Sequence, residues 1–241
     1  MYKKIVLKKG KEESLQRQHP WVFSGAILKT DEPLEEGELV RVYTHDGEFM
    51  GVGHFQIGSI SVRILSFHDV PINANFWQAR LKAAMEVREA IDVIRPAEKV
   101  DTDKHNTVNT TYRLVHGEGD NLPGLIVDVY GTTCVMQAHS VGMHVSRYEI
   151  ADALRNIMGD KIDSIYYKSE TTLPFKAELG QENGFIYGNT DNDIAIENGL
   201  KFHIDWLKGQ KTGFFIDQRE NRSLLEHYAK GRSVLNMFCY T

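Results

Sequence analysis

The sequence contains few of the residues that hold a fold together covalently or through a metal ion. Its 241 residues include two cysteines, Cys134 and Cys239, which form no Cys-x-x-Cys pair. This spacing argues against a disulfide framework and against a zinc module, and it fits a reducing cytoplasm. The ten histidines contain no His-Glu-x-x-His or His-x-His motif. We therefore expect a cytoplasmic protein without a metal site.

Long apolar runs are also missing. No stretch approaches the roughly 18 to 20 apolar residues that a membrane helix requires. The first residues, Met-Tyr-Lys-Lys-Ile, begin no apolar run of the signal-peptide kind. With 41% hydrophobic and 25% charged residues, the composition is typical of a globular protein that does not contact a membrane. The absence of a Gly-x-Ser-x-Gly motif argues against a serine hydrolase.

The net charge of −5 at pH 7 opposes RNA binding, because the phosphate backbone favours basic surfaces. Local patches still govern encounter, and a run of basic residues near the N-terminus is followed by His19, Trp21 and Phe23. Single-stranded RNA recognition uses this combination, with cations along the phosphates and rings stacked on the bases. The candidate RNA-binding residues are Lys8, Arg17, His19, Trp21 and Arg63.

Three of these aromatic and basic residues have an alternative interpretation. Trp21 and Phe23 alternate like two residues on the inward face of a strand, and this pattern favours core packing over contact with RNA. Arg63 lies in an alternating strand and suits solvent and RNA equally well.

The first seventy or so residues are predicted to form a small β-rich module. Residues 37–43 and 60–65 alternate between apolar and polar side chains, and a turn at 45–48 leads into a returning strand at 49–53. Short strands at this spacing are typical of a small barrel. A helix should follow, with its apolar stripe ending at Arg95-Pro96. The residues of that stripe are Trp77, Leu81, Ala84, Val87, Ile91 and Ile94.

A second, α+β unit is predicted after a polar loop at 97–111. Its strand-like segments are residues 112–115, 125–130, 133–138 and 164–168. A helical stripe formed by Val145, Tyr148, Ala151, Leu154 and Met158 should end at Gly159. His116, Glu118 and Asp120 lie in a turn, where they suit acid–base chemistry less well than a tight backbone turn.

The last third of the chain is predicted to contain a hairpin, a polar loop, a helix and a strand. Residues 194–205 suggest a hairpin turned at Asn198-Gly199. Asp217 and Glu220 have the spacing of a capping box, so a helix should begin at Asp217 and end at Gly231. Lys211, Thr212 and Arg219 would then surround its N-terminus, which favours anions. The alternative is a solvated face that binds nothing. Residues 233–241 should form a buried strand.

Two blocks of this region carry a family resemblance. They are residues 209–222, Gly-Gln-Lys-Thr-Gly-Phe-Phe-Ile-Asp-Gln-Arg-Glu-Asn-Arg, and residues 234–241, Val-Leu-Asn-Met-Phe-Cys-Tyr-Thr. Together they resemble the signature of the ribosomal RNA large subunit methyltransferase I family, S-adenosylmethionine-dependent enzymes that make 5-methylcytosine in 23S ribosomal RNA. Residues 19–25 and 118–128 fit the same family.

The resemblance implies an α+β, multidomain protein. An N-terminal PUA-like, RNA-binding β-barrel is followed by a central α+β domain and the start of a Rossmann-like class I methyltransferase domain. The expected boundaries are 1–72 for the barrel, 73–96 for a linker helix, 97–190 for the central domain and 191–241 for the truncated methyltransferase domain.

The resemblance also assigns roles to residues. It implies S-adenosylmethionine as the cofactor and 23S ribosomal RNA as the partner, and it leaves a homodimer open. Cys239 would belong to the cofactor-binding strand, and the thiol that attacks the base would lie beyond Thr241. The chain is therefore expected to hold no catalytic residue and to be inactive alone. The alternatives are a non-catalytic RNA-binding module and an enzyme acting on a small nucleotide. The expected cofactor-binding residues are Lys211, Thr212, Phe215, Gln218, Arg219, Asn236, Phe238 and Tyr240.

Overall fold

The computed structural model describes residues 2–31, 33–96, 107–174, 179 and 183–237. The predicted loop at 97–111 therefore lies mostly outside the described residues. The strands are β1 (Lys3–Leu7), β2 (Trp21–Phe23), β3 (Ile27–Thr30), β4 (Leu39–Tyr43), β5 (Phe49–Phe55), β6 (Ile60–Ser66), β7 (Thr111–His116), β8 (Leu125–Tyr130), β9 (Thr133–Ala138), β10 (Ser164–Tyr167), β11 (Gly184–Tyr187), β12 (Ile194–Glu197) and β13 (Leu200–His203). The helices are α1 (Glu13–Gln16), α2 (Ala74–Ala90), α3 (Val141–Val145), α4 (Arg147–Met158) and α5 (Arg219–Ala229).

The N-terminal strands form one six-stranded sheet in the order β2-β6-β5-β4-β1-β3. β1 and β4 are parallel, and the other pairs are antiparallel. Strand alternation explains the core on one face, since Val40 and Val42 are buried on either side of a half-buried Arg41. The two edge strands, β2 and β3, do not pair with each other, so within the described residues the sheet is an open half-barrel. The β-rich module and its strands are confirmed.

The alternation in β2 runs opposite to the favoured expectation. Val22 is the buried residue, at 2% exposure, whereas Phe23 is 48% exposed and Trp21 is half-buried. The expectation that Trp21 and Phe23 face the core is therefore wrong. In a strand of only three residues, alternation does not show which face is buried. Packing of Val22 with Ile5 and Leu7 in the core of the sheet determines it.

The central sheet has the order β11-β10-β9-β8-β7, with β9 and β10 parallel and the other neighbours antiparallel. α2 packs against α4 and against β7. The side chain of Asn73 caps α2 by accepting a hydrogen bond from the amide of Phe76 (3.2 Å). α2 ends at Ala90 rather than at Arg95, and Val87 and Ile91 are exposed. The apolar stripe in the sequence therefore extends beyond the buried part of the helix.

The predicted helix over 145–158 is interrupted. α3 ends at Val145 and α4 begins at Arg147, with Ser146 between them. Val145 and Tyr148 are 54% and 56% exposed, so the first half of the predicted stripe is wrong. The second half is buried as predicted, and α4 stops at Gly159, which has a φ of +53°.

The C-terminal region is confirmed in part. β12 and β13 form the predicted hairpin, with left-handed backbone at Asn198 (φ +48°) and Gly199 (φ +80°). The capping box is wrong, because α5 begins at Arg219 after a 3₁₀ turn over Ile216–Gln218, and its N-cap makes no side-chain cap hydrogen bond. Residues 233–237 lie outside any strand, contrary to prediction.

The N-terminal sheet and the central unit share a packed interface. Val52 and Leu65 of the sheet belong to the same core as Trp77 of α2. The ring of His54 stacks on the indole of Trp77 with 6.2 Å between centroids. Gly142 of α3 approaches so closely that an added Cβ would lie 2.1 Å from the His54 ring. No helix in the described ranges is both long and apolar enough to cross a membrane.

Candidate functional site

The backbone of the loop at 209–215 leaves no room for a side chain at two positions, Gly209 and Gly213. A Cβ on Gly209 would lie 2.2 Å from the carbonyl oxygen of Asp205, and one on Gly213 would lie 2.8 Å from the same atom. Gly213 also has a φ of +117°, which L-residues rarely adopt. The amide of Gly209 donates to the Asp205 carbonyl at 2.9 Å. The glycines of this segment therefore set its shape, which gives a structural reason for part of the unusual sequence.

A buried polar network anchors this loop to the central sheet. Asp128 of β8 is fully buried and accepts two hydrogen bonds from the guanidinium of Arg113, at 2.8 and 2.9 Å. The hydroxyl of Thr212 donates to the same carboxylate at 2.6 Å and lies 2.9 Å from the hydroxyl of Tyr130. Thr212 is only 1% exposed. Its hydroxyl therefore faces the protein interior, and its evident role is to hold the loop.

A second buried carboxylate holds the start of α5. Glu197 of β12 is 2% exposed and accepts hydrogen bonds from Nε and Nη2 of Arg222, at 2.6 and 2.8 Å. Nε of Arg219 lies 3.6 Å from the same carboxylate, and its Nη2 donates to the carbonyl of Thr111. Burial lowers the pKa of Arg219, and the charge of Glu197 opposes that shift. The Arg222 guanidinium covers the ring of Phe214, 4.3 Å from its centroid.

The predicted cluster of Lys211, Thr212 and Arg219 is not formed by these contacts. Thr212 points to Asp128, Arg219 points to Glu197 and Thr111, and the exposed Lys211 lies over the ring of Phe215 at 5.3 Å. Their spacing along the chain predicts that the three side chains lie close together at the start of the helix. The left-handed backbone at Lys211 (φ +51°) instead turns neighbouring side chains in different directions.

Two of the other expected cofactor residues lie near or beyond α5, and two lie outside the described residues. Gln218 is half-buried, and its side-chain oxygen accepts from Asn221 at 2.8 Å. Asn236 is exposed and lies outside any strand. Phe238 and Tyr240 lie outside the described residues, as does Cys239.

Basic and aromatic side chains meet on the N-terminal module. A groove of 510 Å³ lies between α1 and β2, and its wall includes Lys11, Arg17 and Phe23. Lys8 lies beside it, with its ammonium donating to the carbonyl of Gly25 at 2.9 Å. Arg17 is 79% exposed at its side chain and pairs with Glu13 at 3.2 Å.

Three aromatic side chains of this module, His19, Trp21 and Phe23, form a row at the surface, with Trp21 half-buried. The rings of His19 and Trp21 lie edge to face at 5.3 Å, and those of Trp21 and Phe23 lie edge to face at 6.3 Å. His19 and Phe23 are exposed. Aromatic rings held apart in this way on a surface can accept stacked bases.

Arg63 lies apart from the groove, at the interface with the central unit. Its Nη1 donates to the side-chain oxygen of Gln56 at 3.2 Å. In the register of the sheet it stands directly opposite Trp21. The indole N–H of Trp21 donates to Glu118 of the central unit at 2.8 Å. The five candidate RNA residues therefore lie on one module, and Trp21 connects the aromatic row to Arg63.

The turn at 116–120 contains structural carboxylates rather than an acid–base pair. Asp120 pairs with the guanidinium of Arg88, with 2.8 Å between Nη2 and Oδ2, and accepts from the amide of His116 at 2.6 Å. Glu118 is bound to the Trp21 indole. Across the described ranges, no group of three or more His, Cys, Asp or Glu residues is placed to hold a metal ion.

Cys134 is a buried apolar residue, as predicted. It is the second residue of β9 and is 0% exposed, and burial raises the pKa of its thiol to about 12. At neutral pH it is therefore a neutral thiol, unsuited to nucleophilic attack.

Several residues that hold this region in place were not among the site residues predicted from the sequence. Asp128, Arg113 and Glu197 carry the two buried networks. Asp128 gave one usable signal, because a charged residue inside the apolar strand Leu-Ile-Val-Asp-Val-Tyr needs a partner. Glu197 stands beside the hairpin turn and gave no such signal.

Comparison with known protein families gives two matches. Residues 5–67 match a PUA-like domain family. Residues 184–241 match an S-adenosylmethionine-dependent methyltransferase family.

Comparison with known proteins extends the similarity to the whole chain. A protein of Pseudoalteromonas atlantica named ribosomal RNA large subunit methyltransferase I is 35% identical over 100% of this chain and 58% of its own length. Proteins of the same name from Aeromonas hydrophila and Shewanella frigidimarina are each 37% identical over 98% and 99% of this chain, and over 57% and 58% of their own lengths. The chain thus spans somewhat more than half the length of the curated relatives it matches.

Solved structures show the same fold. A Streptococcus mutans protein described as a candidate SAM-dependent methyltransferase superposes with a TM-score of 0.71 at 20% identity, covering 95% of this chain and 55% of its own. A crystal structure of SMU.776, a candidate methyltransferase in complex with SAH, gives a TM-score of 0.71 at 21% identity, covering 93% of this chain and 53% of its own. These comparisons show that the chain is similar along its whole length to proteins named ribosomal RNA large subunit methyltransferase I, and that it contains a match to a PUA-like domain family and a match to an S-adenosylmethionine-dependent methyltransferase family.

Proposed function

We propose that the full-length protein is a cytoplasmic methyltransferase that forms 5-methylcytosine in 23S ribosomal RNA with S-adenosylmethionine as the methyl donor. The observation that carries this proposal is the 35–37% identity, along the whole chain, to relatives named ribosomal RNA large subunit methyltransferase I. Because the chain spans 57–58% of their length, we further propose that residues 1–241 bind RNA but do not transfer a methyl group alone.

The N-terminal module supports the RNA-binding part of the proposal. Lys8 and Arg17 would contact phosphates along the groove, and His19 and Trp21 would stack on bases. Phosphate contacts need only local positive charge, so the net charge of −5 does not oppose this arrangement.

The loop before α5 supports the cofactor-binding part. The exposed ammonium of Lys211 suits the carboxylate of S-adenosylmethionine, and the Phe215 ring below it offers an apolar wall. We assign Thr212 and Arg219 to positioning, since their polar groups contact Asp128 and Thr111. Gln218, Asn236, Phe238 and Tyr240 stay assigned to the cofactor by resemblance alone.

The bound cofactor would supply a methyl group on a positively charged sulfur. Methylation at carbon 5 of cytosine also needs a thiolate that adds to carbon 6. Cys134 does not suit this role, because it is buried and its pKa is raised. We therefore propose that the nucleophilic thiol belongs to the part of the full-length protein beyond this chain.

Titration calorimetry of the full-length protein with S-adenosylmethionine tests the cofactor assignment. Lys211→Ala should weaken binding about tenfold, which corresponds to the loss of one charge-assisted hydrogen bond of about 1.4 kcal/mol. Lys208→Ala removes an exposed lysine three residues earlier and should leave the affinity unchanged. Equal affinities for the three proteins would remove Lys211 from the site.

A non-catalytic RNA-binding module is the second candidate for the 241-residue chain. The aromatic row at the surface favours it, because His19, Trp21 and Phe23 lie on the N-terminal module and not beside the loop at 209–215. Transfer of labelled methyl groups to RNA by this chain would rule it out. The homodimer and the four segments, residues 1–72, 73–96, 97–190 and 191–241, stay proposals.

A further inference from the structure

One face of the N-terminal sheet turns polar and aromatic side chains towards the central unit. Trp21 of β2, Arg63 of β6 and His54 of β5 are direct cross-strand neighbours. Side chains of paired residues point to the same face of a sheet. The flanking Val62 and Ile64 fill the core on the opposite face. The sheet therefore places a cation and an indole at the boundary between the two units.

A cleft lies at this boundary. Its volume is 230 Å³, and its walls come from both units: Arg63 from the N-terminal sheet, and Glu118, Ile126 and His139 with two glycines from the central unit. Pockets for drug-sized ligands start at roughly 300 Å³. The cleft is smaller, and so it suits one planar group rather than a whole nucleotide.

The polar groups of the cleft are not fully used by the protein. Arg63 donates one hydrogen bond, to Gln56, and Glu118 accepts one, from the Trp21 indole. In the described part of the chain, Nη2 of Arg63 and Oε2 of Glu118 make no further hydrogen bond, and the two side chains form no ion pair with each other. Burial lowers the pKa of Arg63 while the charge of Glu118 raises it. The Arg63 guanidinium and the Glu118 carboxylate therefore both have hydrogen-bonding capacity left beside the same cleft.

We propose that this cleft binds one unstacked RNA base, with guanine preferred, an inference that rests on the proposed RNA-binding function. Guanine offers O6 and N7 to a guanidinium, which is the commonest specific arginine–base contact. Its N1–H and N2–H₂ groups can donate to a carboxylate, which accepts only. Adenine and uracil present no edge with two adjacent donors. A phosphate would suit Arg63 but would be repelled by Glu118.

The base preference can be measured with the 241-residue chain. Short oligouridylates carrying one guanine, inosine or adenine are bound at constant salt, and fluorescence anisotropy gives the dissociation constants. The guanine oligonucleotide should bind about tenfold more tightly than the inosine one, which lacks the N2 amine. Glu118→Gln keeps an oxygen for the Trp21 indole and should reduce this preference about tenfold. Glu86→Gln changes an exposed carboxylate on α2, 62% exposed at its side chain, and should have no effect.

The outcomes separate this inference from the proposed function. Failure of the unmodified chain to bind any oligonucleotide would contradict RNA binding itself. Binding with equal affinity for all three oligonucleotides would overturn the guanine site alone. If Glu118→Gln strengthened binding of every oligonucleotide equally, Arg63 would be a phosphate contact and the inference would be wrong. Urea unfolding midpoints of each variant show whether a loss of binding comes from a loss of fold.

Discussion

At the scale of single residues, buried carboxylates contribute more to holding the fold together than exposed ion pairs do. Asp128 and Glu197 are almost fully buried, and each accepts two hydrogen bonds from one arginine. Asp128 also accepts from the Thr212 hydroxyl, and Nε of Arg219 lies 3.6 Å from Glu197. A buried carboxylate is tolerable only with such partners, because its desolvation costs several kcal/mol. Asp128 joins the loop at 209–215 to the central sheet, and Glu197 joins helix α5 to the hairpin of β12 and β13. The exposed pair of Arg17 and Glu13 contributes little by comparison.

The first prediction concerns Asp128. Asp128→Asn should lower the free energy of unfolding by about 3 kcal/mol, because the Arg113 guanidinium and the Thr212 hydroxyl lose their charged acceptor. Urea denaturation measures the change. Asp152→Asn removes a carboxylate that is 71% exposed and pairs with Arg155, and should cost less than about 1 kcal/mol. Equal losses for the two variants would contradict the role of Asp128.

The second prediction concerns pH. Burial, and to a lesser extent Arg63, lowers the pKa of His54 to about 4. As pH falls from about 6.5 to 4, the unfolded chain takes up a proton that the native imidazole does not, so stability should fall by up to about 3 kcal/mol. Above pH 6.5 this contribution is constant.

Urea unfolding between pH 7 and pH 4.5 tests this expectation. His54→Gln should flatten the loss of stability with falling pH, whatever its effect at pH 7. His45→Gln removes an exposed imidazole and should leave the pH dependence unchanged. A His54→Gln profile parallel to that of the unmodified protein would mean that His54 does not control it.

Some residue environments could be predicted and others could not. Cys134 sits among apolar neighbours in a strand, so its burial follows from the sequence alone. Trp21 and Phe23 could not be placed, because a three-residue strand does not determine which face is inward. The partners of Asp128 come from positions 15 and 84 residues away. Local spacing contains no information about such contacts.

At the scale of elements, long periodic segments were predictable and their ends were not. β4 and β6 follow from alternation, β5 follows from the turn before it, and β8 and β9 follow from their strand-like composition. The hairpin of β12 and β13 follows from Asn198-Gly199. α2 and α4 follow from their apolar stripes. The break at Ser146 could not be anticipated, since the close approach of Gly142 to His54 sets the direction of α3. Contacts of Arg219 and Arg222 with Glu197 hold the start of α5 against β12.

The third prediction concerns the loop before α5. Gly213→Ala should destabilise the protein by about 2 kcal/mol, since the new Cβ would lie 2.8 Å from the Asp205 carbonyl oxygen at a φ of +117°. Gly184→Ala is the matched control, because a Cβ there meets nothing within 4 Å. Its effect should stay within about 0.5 kcal/mol. Unfolding by urea distinguishes the two, and similar values would show that the loop accommodates a side chain.

At the scale of the whole molecule, the two units form one packed body, and the proposed RNA-binding residues lie on one of them. The shared core of Val52, Leu65 and Trp77 joins them. This packing was not evident in the sequence, where residues 73–96 suggested only a linker. The similarity to family members was evident, because the blocks at 209–222 and 234–241 are long. In the structure, residues 209–222 are constrained by glycine geometry and two buried carboxylates.

The fourth prediction concerns salt. For single-stranded RNA, the slope of log binding constant against log salt concentration falls by about 0.7 for each phosphate contact removed. Lys8→Ala combined with Arg17→Ala should therefore reduce the slope by about 1.4. Lys82→Ala with Arg155→Ala removes two exposed cations from the central unit and should leave it unchanged. Anisotropy titrations at several salt concentrations give the slopes, and equal slopes would remove the groove from the RNA path.

The most direct test of the account uses the 241-residue chain, a 23S ribosomal RNA fragment and S-adenosylmethionine with a labelled methyl group. RNA retention on filters and label transferred to RNA are measured in the same mixture. The account predicts retention of the RNA without transfer of label. Transfer of label to the RNA would contradict it, because the chain would then contain a complete catalytic site, and so would failure to retain the RNA.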